Sequence, residues 1–375
     1  MIRFIHASDL HLGRPFGTYP EDVRVRLRRA RQDSIGRLAA AARDGGATHI
    51  LLAGDTFDAE TPQPTTIRHA LNAMAADSAL TWVLMPGNHD SLAASELWRV
   101  LATDRPANVL LATSADPMNL GPAMLLPAPC TVRHPGRDLT EWMDEAATGD
   151  AIRIGLAHGG VRDFSSQENQ FENGSSAVIA PDRAERASLD YLGLGDWHGR
   201  IKVGPATWYS GTPEADSFKP HLPAGVTMVT VSARGATPDV IEVETGNISW
   251  RRETLELLSG DDPVRRHGDL MPELSVRGDM MFDLVVSGRM TLRDRLALEQ
   301  DIARTAPDFL WHQSDLSSVS ALSESTDLDL ISDAGALRRA AETLAADSTN
   351  SEDPVQRKVA AAALSRLFTY AMEDE

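Results

Sequence analysis

Five short clusters in this chain carry residues suited to holding metal ions. They are Ser8-Asp9-Leu10-His11, Gly54-Asp55-Thr56-Phe57-Asp58, Pro86-Gly87-Asn88-His89-Asp90, His158-Gly159-Gly160 and Gly195-Asp196-Trp197-His198-Gly199. Singly, each has an ordinary reading: Asp-x-His is common surface chemistry, and Gly-Asp and Gly-Asn are turn dipeptides. Their conjunction points elsewhere. All five follow apolar, strand-like runs, and all offer carboxylate, amide or imidazole donors without a thiolate. Such a set suits Mn²⁺, Fe or Zn²⁺ better than Mg²⁺ or Ca²⁺, which prefer oxygen alone. It can hold two ions ~3.5–4 Å apart, the spacing used for in-line displacement at phosphorus.

The elements that must position these clusters are legible as an alternation. Apolar runs at 4–7, 49–53, 81–85, 108–112, 152–157 and 191–194 predict strands. Helical patterns at 21–43, 64–77, 94–102, 139–147 and 181–189 lie between them. Alternation of this kind reads as α/β, and α/β sheets place their sites at strand ends. Runs at 226–232, 240–244 and 250–257 predict antiparallel strands completing a second sheet. Composition shifts near residue 261. The expected organisation is a catalytic domain over 1–260, a small α+β domain over 261–347, and a flexible stretch with a last helix over 348–375. On that helix Val355, Val359, Ala363 and Leu367 share one face.

Composition narrows the function classes. The chain has 375 residues, 42% of them hydrophobic, so two domains with real cores are expected. With 36 basic and 54 acidic residues, the net charge of −18 argues against coating DNA through a global positive field. A local patch remains compatible with a DNA enzyme. The single cysteine, Cys130, excludes an internal disulfide and a cysteine zinc site. No basic start leads into an apolar segment, and no run of ~18 apolar residues occurs, so neither a secretory signal nor a membrane span is expected. A cytoplasmic location follows as the expectation.

The order Asp-x-His, Gly-Asp-x-x-Asp, Gly-Asn-His-Asp, His-Gly, Gly-Asp-x-His resembles the calcineurin-like metallophosphoesterase superfamily. The opening Ile5-His6-Ala7-Ser8-Asp9-Leu10-His11-Leu12-Gly13 is similar to SbcD-type bacterial DNA repair exonucleases. So are Ala53-Gly54-Asp55-Thr56-Phe57-Asp58 and Tyr209-Ser210-Gly211-Thr212-Pro213-Glu214. The resemblance spans residues 2–218. It implies a four-layer α-β-β-α sandwich with the site at one edge of the two sheets, and a small C-terminal cap guiding DNA toward the metals. By the same resemblance, Asp9, His11 and His198 hold one ion, Asn88, His158 and Asp196 the other, and Asp55 bridges both. His89 is no ligand: it faces the scissile phosphate, oriented by Asp58, and protonates the leaving oxygen or stabilises the transition state. An imidazole beside a carboxylate is a standard acid–base pair. The nucleophile is a water activated by the ions, of which Mn²⁺ is the leading candidate.

One position departs from the pattern. The superfamily's fifth motif is usually Gly-His-x-His, whereas Asp196 stands here where the first histidine is expected. A carboxylate can ligate the same ion while weakening it as a Lewis acid, or leave the second position weak or empty. Trp197 either stacks on a base or packs under its loop, and packing is the commoner role. Arg24, Arg28 and Arg31 fall at i, i+4 and i+7 on the first helix, reading equally as a grip on phosphate backbone or as a solvated face. The seven histidines outside these motifs, at 6, 49, 69, 134, 221, 267 and 312, read as structural or surface residues.

Three functions are therefore in play. The first is a Mn²⁺-dependent DNA exo/endonuclease in repair or DNA-end processing. The second is a phosphodiesterase or phosphatase on small nucleotides or phosphoproteins. The third is a catalytically weakened subunit that binds DNA or scaffolds an ATPase. The resemblance further implies an SbcC-like SMC-type ATPase partner, docked by the last helix if that helix is not a packing element, and a homodimer.

Overall fold

The computed structural model describes residues 1–162, 178–219, 223–258, 260–322, 325–332 and 334–373; His221 lies outside them. The chain forms two compact units, Met1–Ser249 and Trp250–Glu375.

The first unit begins β1 (Ile2–Ala7), α1 (Glu21–Asp44), β2 (His49–Ala53), α2 (Pro64–Ala75), β3 (Thr81–Met85), α3 (Ser95–Asp104) and β4 (Val109–Leu111). It continues with β5 (Met118–Asn119), β6 (Ala123–Ala128), β7 (Ile152–His158), α4 (Arg183–Arg186), β8 (Tyr191–Gly195), β9 (Arg200–Lys202), β10 (Thr207–Ser210), β11 (Gly225–Val231) and β12 (Asp239–Glu244). Two six-stranded sheets result, ordered β12-β11-β1-β2-β3-β4 and β5-β6-β7-β8-β10-β9. In each, four strands run parallel: β1 to β4 in the first, and β6, β7, β8 and β10 in the second.

Alternation along the strands explains the layering. Ile50 and Leu52 of β2, with Trp82 and Leu84 of β3, face a core shared with α1, α2 and α3. Their neighbours Leu51, Ala53, Val83 and Met85 point the other way, meeting Leu125, Ile154, Leu156 and Tyr191 of the second sheet. Strands buried on both faces must read as continuous apolar runs, which is why β1, β2, β3 and β7 were visible. A third core, with Leu126, Ala157, Leu192 and Leu194, covers the outer face of sheet two. This is a mixed α/β sandwich of two large sheets. Its outer layer on that side is thin among the described residues: a 3₁₀ turn (Glu141–Asp144) and the four-residue α4 stand where two longer helices were expected.

Two further expectations are corrected. Residues 226–232 and 240–244 do not build the second sheet. As β11 and β12 they extend the first, antiparallel along the free edge of β1. Sheet two is completed instead by β5, β6, β9 and β10, of which β6 was hidden by Pro127. A proline forfeits a ladder donor, but β5 pairs only with Met124 and Leu125, so its side of β6 is already unpaired at Pro127.

The strand predicted at 250–257 belongs to the second unit. There β13 (Ser249–Leu257) starts at the boundary, followed by α5 (Pro263–Leu270), α6 (Leu274–Arg277), β14 (Met280–Thr291), α7 (Leu292–Thr305) and β15 (Trp311–Leu322). The three strands form one sheet in the order β13-β14-β15. Three helices close the unit: α8 (Ser325–Ile331), α9 (Gly335–Asn350) and α10 (Pro354–Glu373). The buried face of α10 is Ala360, Leu364 and Phe368, one position round from the face expected. Leu364 and Phe368 pack with Leu292, Leu328, Ile331 and Ala341, while Val355 and Val359 are exposed. No described helix is long and apolar enough to cross a membrane.

Candidate metal centre

The clusters lie where parallel strands end, and main-chain pairing outlasts the strands to draw two of them together. Asp9 N donates to Gly54 O (3.1 Å), His11 N to Asp55 O (2.9 Å), Leu12 N to Thr56 O (3.0 Å) and Asp58 N to Leu12 O (3.1 Å). Following that path bends the backbone into the left-handed region at Asp9, His11 and Asp55, with φ of 56°, 42° and 53°, and Asp196 has φ 93°. These four are among only six non-glycine residues with positive φ in the described chain. Each such residue costs about 1–2 kcal/mol, so the surroundings must enforce it.

One buried carboxylate does much of that enforcing. Asp90 accepts from the N–H groups of Asp55 (3.3 Å), Phe57 (3.1 Å) and Gly87 (2.7 Å), tying the second cluster to the third. Burial raises its pKa, against the pull of those donors. Gly54, at φ +91°, adopts a conformation side chains avoid, and a Cβ there would run into the Gly87 main chain, 2.7 Å away.

The seven expected ligands converge. His11 Nε2 lies 3.7 Å and His158 Nε2 3.6 Å from Asp55 Oδ2, so that carboxylate stands between the two imidazoles. His198 Nε2 is 4.0 Å from Asp9 Oδ1. On the other side, His158 Nε2 is 3.8 Å from Asp196 Oδ1, which also accepts from Asn88 Nδ2 at 3.3 Å. Ligand atoms of Asp9, His11 and His198, and of Asp9, Asp55 and His158, lie within 4.8 Å of one another.

The donors fit divalent cations. Buried His11 Nε2, His158 Nε2 and Asn88 Oδ1 have no hydrogen-bond partner, an expensive arrangement unless an ion accepts their lone pairs. Two of the imidazole tautomers are set from behind. His158 Nδ1 donates to Ala53 O (2.8 Å) and His198 Nδ1 to Asp216 Oδ1 (3.2 Å), while His11 Nδ1 faces Asp58 Oδ1 at 3.2 Å. In their neutral forms His158 and His198 are thereby left with Nε2 as an acceptor toward the centre, as metal-ligating histidines require, whereas His11 Nδ1 makes no hydrogen bond that would fix its tautomer. Burial lifts the Asp55 carboxyl to about 7, with Asp90 and Asp9 adding to it and His158 opposing. Burial also opposes a charge on His158, but Asp55, Asp9 and Asp196 prevail and raise it to about 9. Divalent ions held by these residues would supply the compensating charge, Lewis-acid polarisation of a phosphoryl oxygen and an activated water.

His89 sits beside this centre. Its ring packs edge-on to His11 with centroids 4.8 Å apart, and its main-chain N–H donates to Asp55 Oδ1 at 2.9 Å. Orientation by Asp58 comes from an unexpected atom: His89 Nδ1 donates to the Asp58 main-chain carbonyl (2.9 Å), while the Asp58 carboxylate faces His11. Nδ1 is thus committed, and Nε2 is the atom at which His89 can hold or release a proton.

Arg31 does not reach phosphate. It is 1% exposed and its guanidinium donates to Asp9 O, Leu10 O and Asp216 Oδ2 at 3.2, 2.6 and 2.7 Å. Its place at the buried end of the helical stripe makes it a brace for the first cluster, not a neighbour of the exposed pair. Arg24 and Arg28 are partly exposed and both engage Glu21. Trp197 is buried in the outer core of sheet two, the packing alternative. Sequence reasoning missed Asp90, Asp216 and Ser8, whose Oγ donates to Asp9 Oδ2 at 2.5 Å. Only tertiary proximity marks Asp216. Asp90 and Ser8 adjoin ligands, and that adjacency was the available signal.

Comparison with known proteins agrees with the geometry. Residues 2–183 match the family described as calcineurin-like phosphoesterase. The chain is 26% identical over 248 residues to the uncharacterized metallophosphoesterase YhaO of Bacillus subtilis (strain 168), covering 62% of this chain and 58% of that protein. The chain therefore spans little more than half of this curated relative's length. A crystal structure of TT1561 of Thermus thermophilus aligns over 64% of this chain and 98% of that one, with TM-score 0.38 and 13% identity. Residues 2–183 are thus similar to calcineurin-like phosphoesterases, and the donor geometry is of the kind a metal-dependent enzyme needs.

Proposed function

We propose that the protein is a Mn²⁺-dependent DNA exo/endonuclease that hydrolyses phosphodiester bonds in repair or processing of DNA ends. The observation that supports the hydrolytic part is the convergence of seven oxygen and nitrogen ligands, five of them buried, beside His89, which this reading makes the proton donor for the leaving oxygen. The nuclease part rests on the resemblance at residues 5–13, 53–58 and 209–214. Hydrolysis of end-labelled duplex DNA with Mn²⁺ tests it, comparing wild type with His89→Ala. Removing a general acid should lower the rate about 10²–10⁴-fold. Turnover of a small phosphodiester with no cleavage of DNA sinks the nuclease reading.

A second reading, a phosphodiesterase on small nucleotides, is favoured by the net charge of −18. The weakened-subunit reading draws no support from Asp196, whose carboxylate faces His158 and Asn88 as a ligand would. An SMC-like ATPase partner and a second copy of this chain belong to the same proposal. For the ATPase, the exposed Val355, Val359 and Tyr370 of α10 offer an apolar contact. Val355→Asp with Val359→Asp should abolish co-purification while sparing hydrolysis. Unchanged co-purification removes α10 from that role.

A further inference from the structure

One cavity is lined by Asn88, His158 and Asp196 together with Arg133, His134 and Arg137. In an acidic chain, most arginines near the sandwich are spent on carboxylates: Arg31 on Asp216, Arg37 on Glu214, Arg183 on Asp138 and Asp144. Arg133 and Arg137 differ, forming no ion pair with a described residue. Their loop is nonetheless tied down on both sides. At its start, Cys130 N donates to Pro86 O (3.1 Å) and Leu92 N to Cys130 O (2.9 Å). At its end, the Asp138 carboxylate accepts from Arg183 (2.9 Å) and from Ala180 N (3.1 Å). Two exposed guanidinium groups and an imidazole thus line the same cavity as three of the metal-centre residues, with no ion-pair partner among the described residues.

Asp196 does not account for them, because an ion held by Asn88, His158 and Asp196 would neutralise that carboxylate. The remaining demand is for an anion lying beside the scissile phosphate. Guanidinium matches phosphate geometry with two parallel donors. We propose that Arg133 and Arg137, with His134 between them, form a subsite for a second phosphate of a polyphosphate substrate, the neighbouring phosphate of a nucleic-acid strand. This deepens the phosphodiesterase reading and rests on it for the position of the scissile group. It also answers the charge problem, since a chain of net charge −18 needs local cations to hold a polyanion. The same chemistry would accept a nucleoside polyphosphate.

The test uses the full Mn²⁺-loaded chain and the double variant Arg133→Ala with Arg137→Ala. Three substrates separate the sources: bis(p-nitrophenyl) phosphate with one phosphate, a short single-stranded DNA, and a nucleoside triphosphate. The ratio of kcat/KM on DNA to that on the small diester should fall by about 10-fold or more. The log–log salt dependence of DNA binding should flatten by about 1–2, as two phosphate contacts are lost. A fall confined to the triphosphate assigns the subsite to small nucleotides and overturns the strand proposal. Unchanged ratio and salt slope, with wild type still cleaving the small diester, remove the subsite and leave the phosphoesterase reading standing. If wild type cleaves no phosphodiester, the phosphoesterase reading fails, and anisotropy of labelled DNA with its salt slope still decides the subsite.

Discussion

Substituting Gly87 by alanine tests whether the Asp55 carboxylate must stand where it does. Gly87 has an ordinary backbone conformation, so strain in φ is not at issue. A Cβ built on it lies 2.9 Å from the Asp55 carboxyl carbon, and closer still to Oδ1 and the Asp55 main-chain nitrogen. Ordinary carbon–carbon contacts are about 3.5–4.0 Å, so the carboxyl group must retreat by at least roughly 0.6–1.1 Å, and the Asp55 main chain must shift with it. Overpacking of this size costs about 1–3 kcal/mol of stability, which the chain should survive. The larger effect falls on the centre, since ligand distances tolerate only about 0.2 Å and a 1 Å misplacement costs on the order of 10²-fold in rate. Gly17→Ala is the control, because nothing lies within 4 Å of its added Cβ. Bound metal by mass spectrometry and hydrolysis of bis(p-nitrophenyl) phosphate give the readout, with melting temperature monitoring the fold. A folded Gly87→Ala variant that keeps full metal content and a rate within about threefold of wild type would refute the reasoning.

Three other outcomes follow from the same structure. Asp216→Asn removes the carboxylate behind His198 and should weaken one metal equivalent by about 10–100-fold while leaving the other bound, as seen by calorimetric titration; uniform loss of both would show a merely structural role. His6 is fully buried and its pKa is pushed by desolvation from 6.5 to about 3, against a main-chain bond from Leu194. The unfolded chain therefore takes up this proton first, and stability is lost as pH falls from 6.5 toward about 3, by roughly 2 kcal/mol at pH 5. Urea titrations of metal-free protein should show that loss reduced in His6→Gln; identical pH profiles would sink the assignment. Phe368→Ala should destabilise the second unit by about 3–5 kcal/mol, whereas Val355→Ala on the exposed side of α10 should change it by less than about 0.5 kcal/mol, as thermal unfolding will report.

What could be read from the sequence follows from how locally each feature is encoded. Strands β1, β2, β3 and β7 are buried on both faces, so their composition alone exposes them. The clusters are legible because each ligand sits at the end of a strand or within four residues past it, leaving little freedom for where it can point. Strand β6 was hidden because Pro127 is permitted only by the shortness of β5, a neighbour the local sequence does not reveal. Sheet membership of β11 and β12 depends on which edge is free, which is a property of the assembled fold. The Arg31 error has the same origin. Helical spacing placed Arg31 with Arg24 and Arg28, but only the buried Asp216, 185 residues away, shows that the stripe turns inward there. Asp58 contributes its carbonyl to His89 and its carboxylate to His11, a division that no residue pattern encodes.

The most direct test of the account measures bound metal and phosphodiester hydrolysis together, in Mn²⁺-loaded wild type and in Asp55→Ala. The account predicts about two ions per wild-type chain with hydrolysis of bis(p-nitrophenyl) phosphate, and loss of both ions' tight binding and of turnover when the carboxylate between His11 and His158 is removed. A fully loaded wild type without turnover, or an Asp55→Ala variant that binds and hydrolyses like wild type, would contradict it.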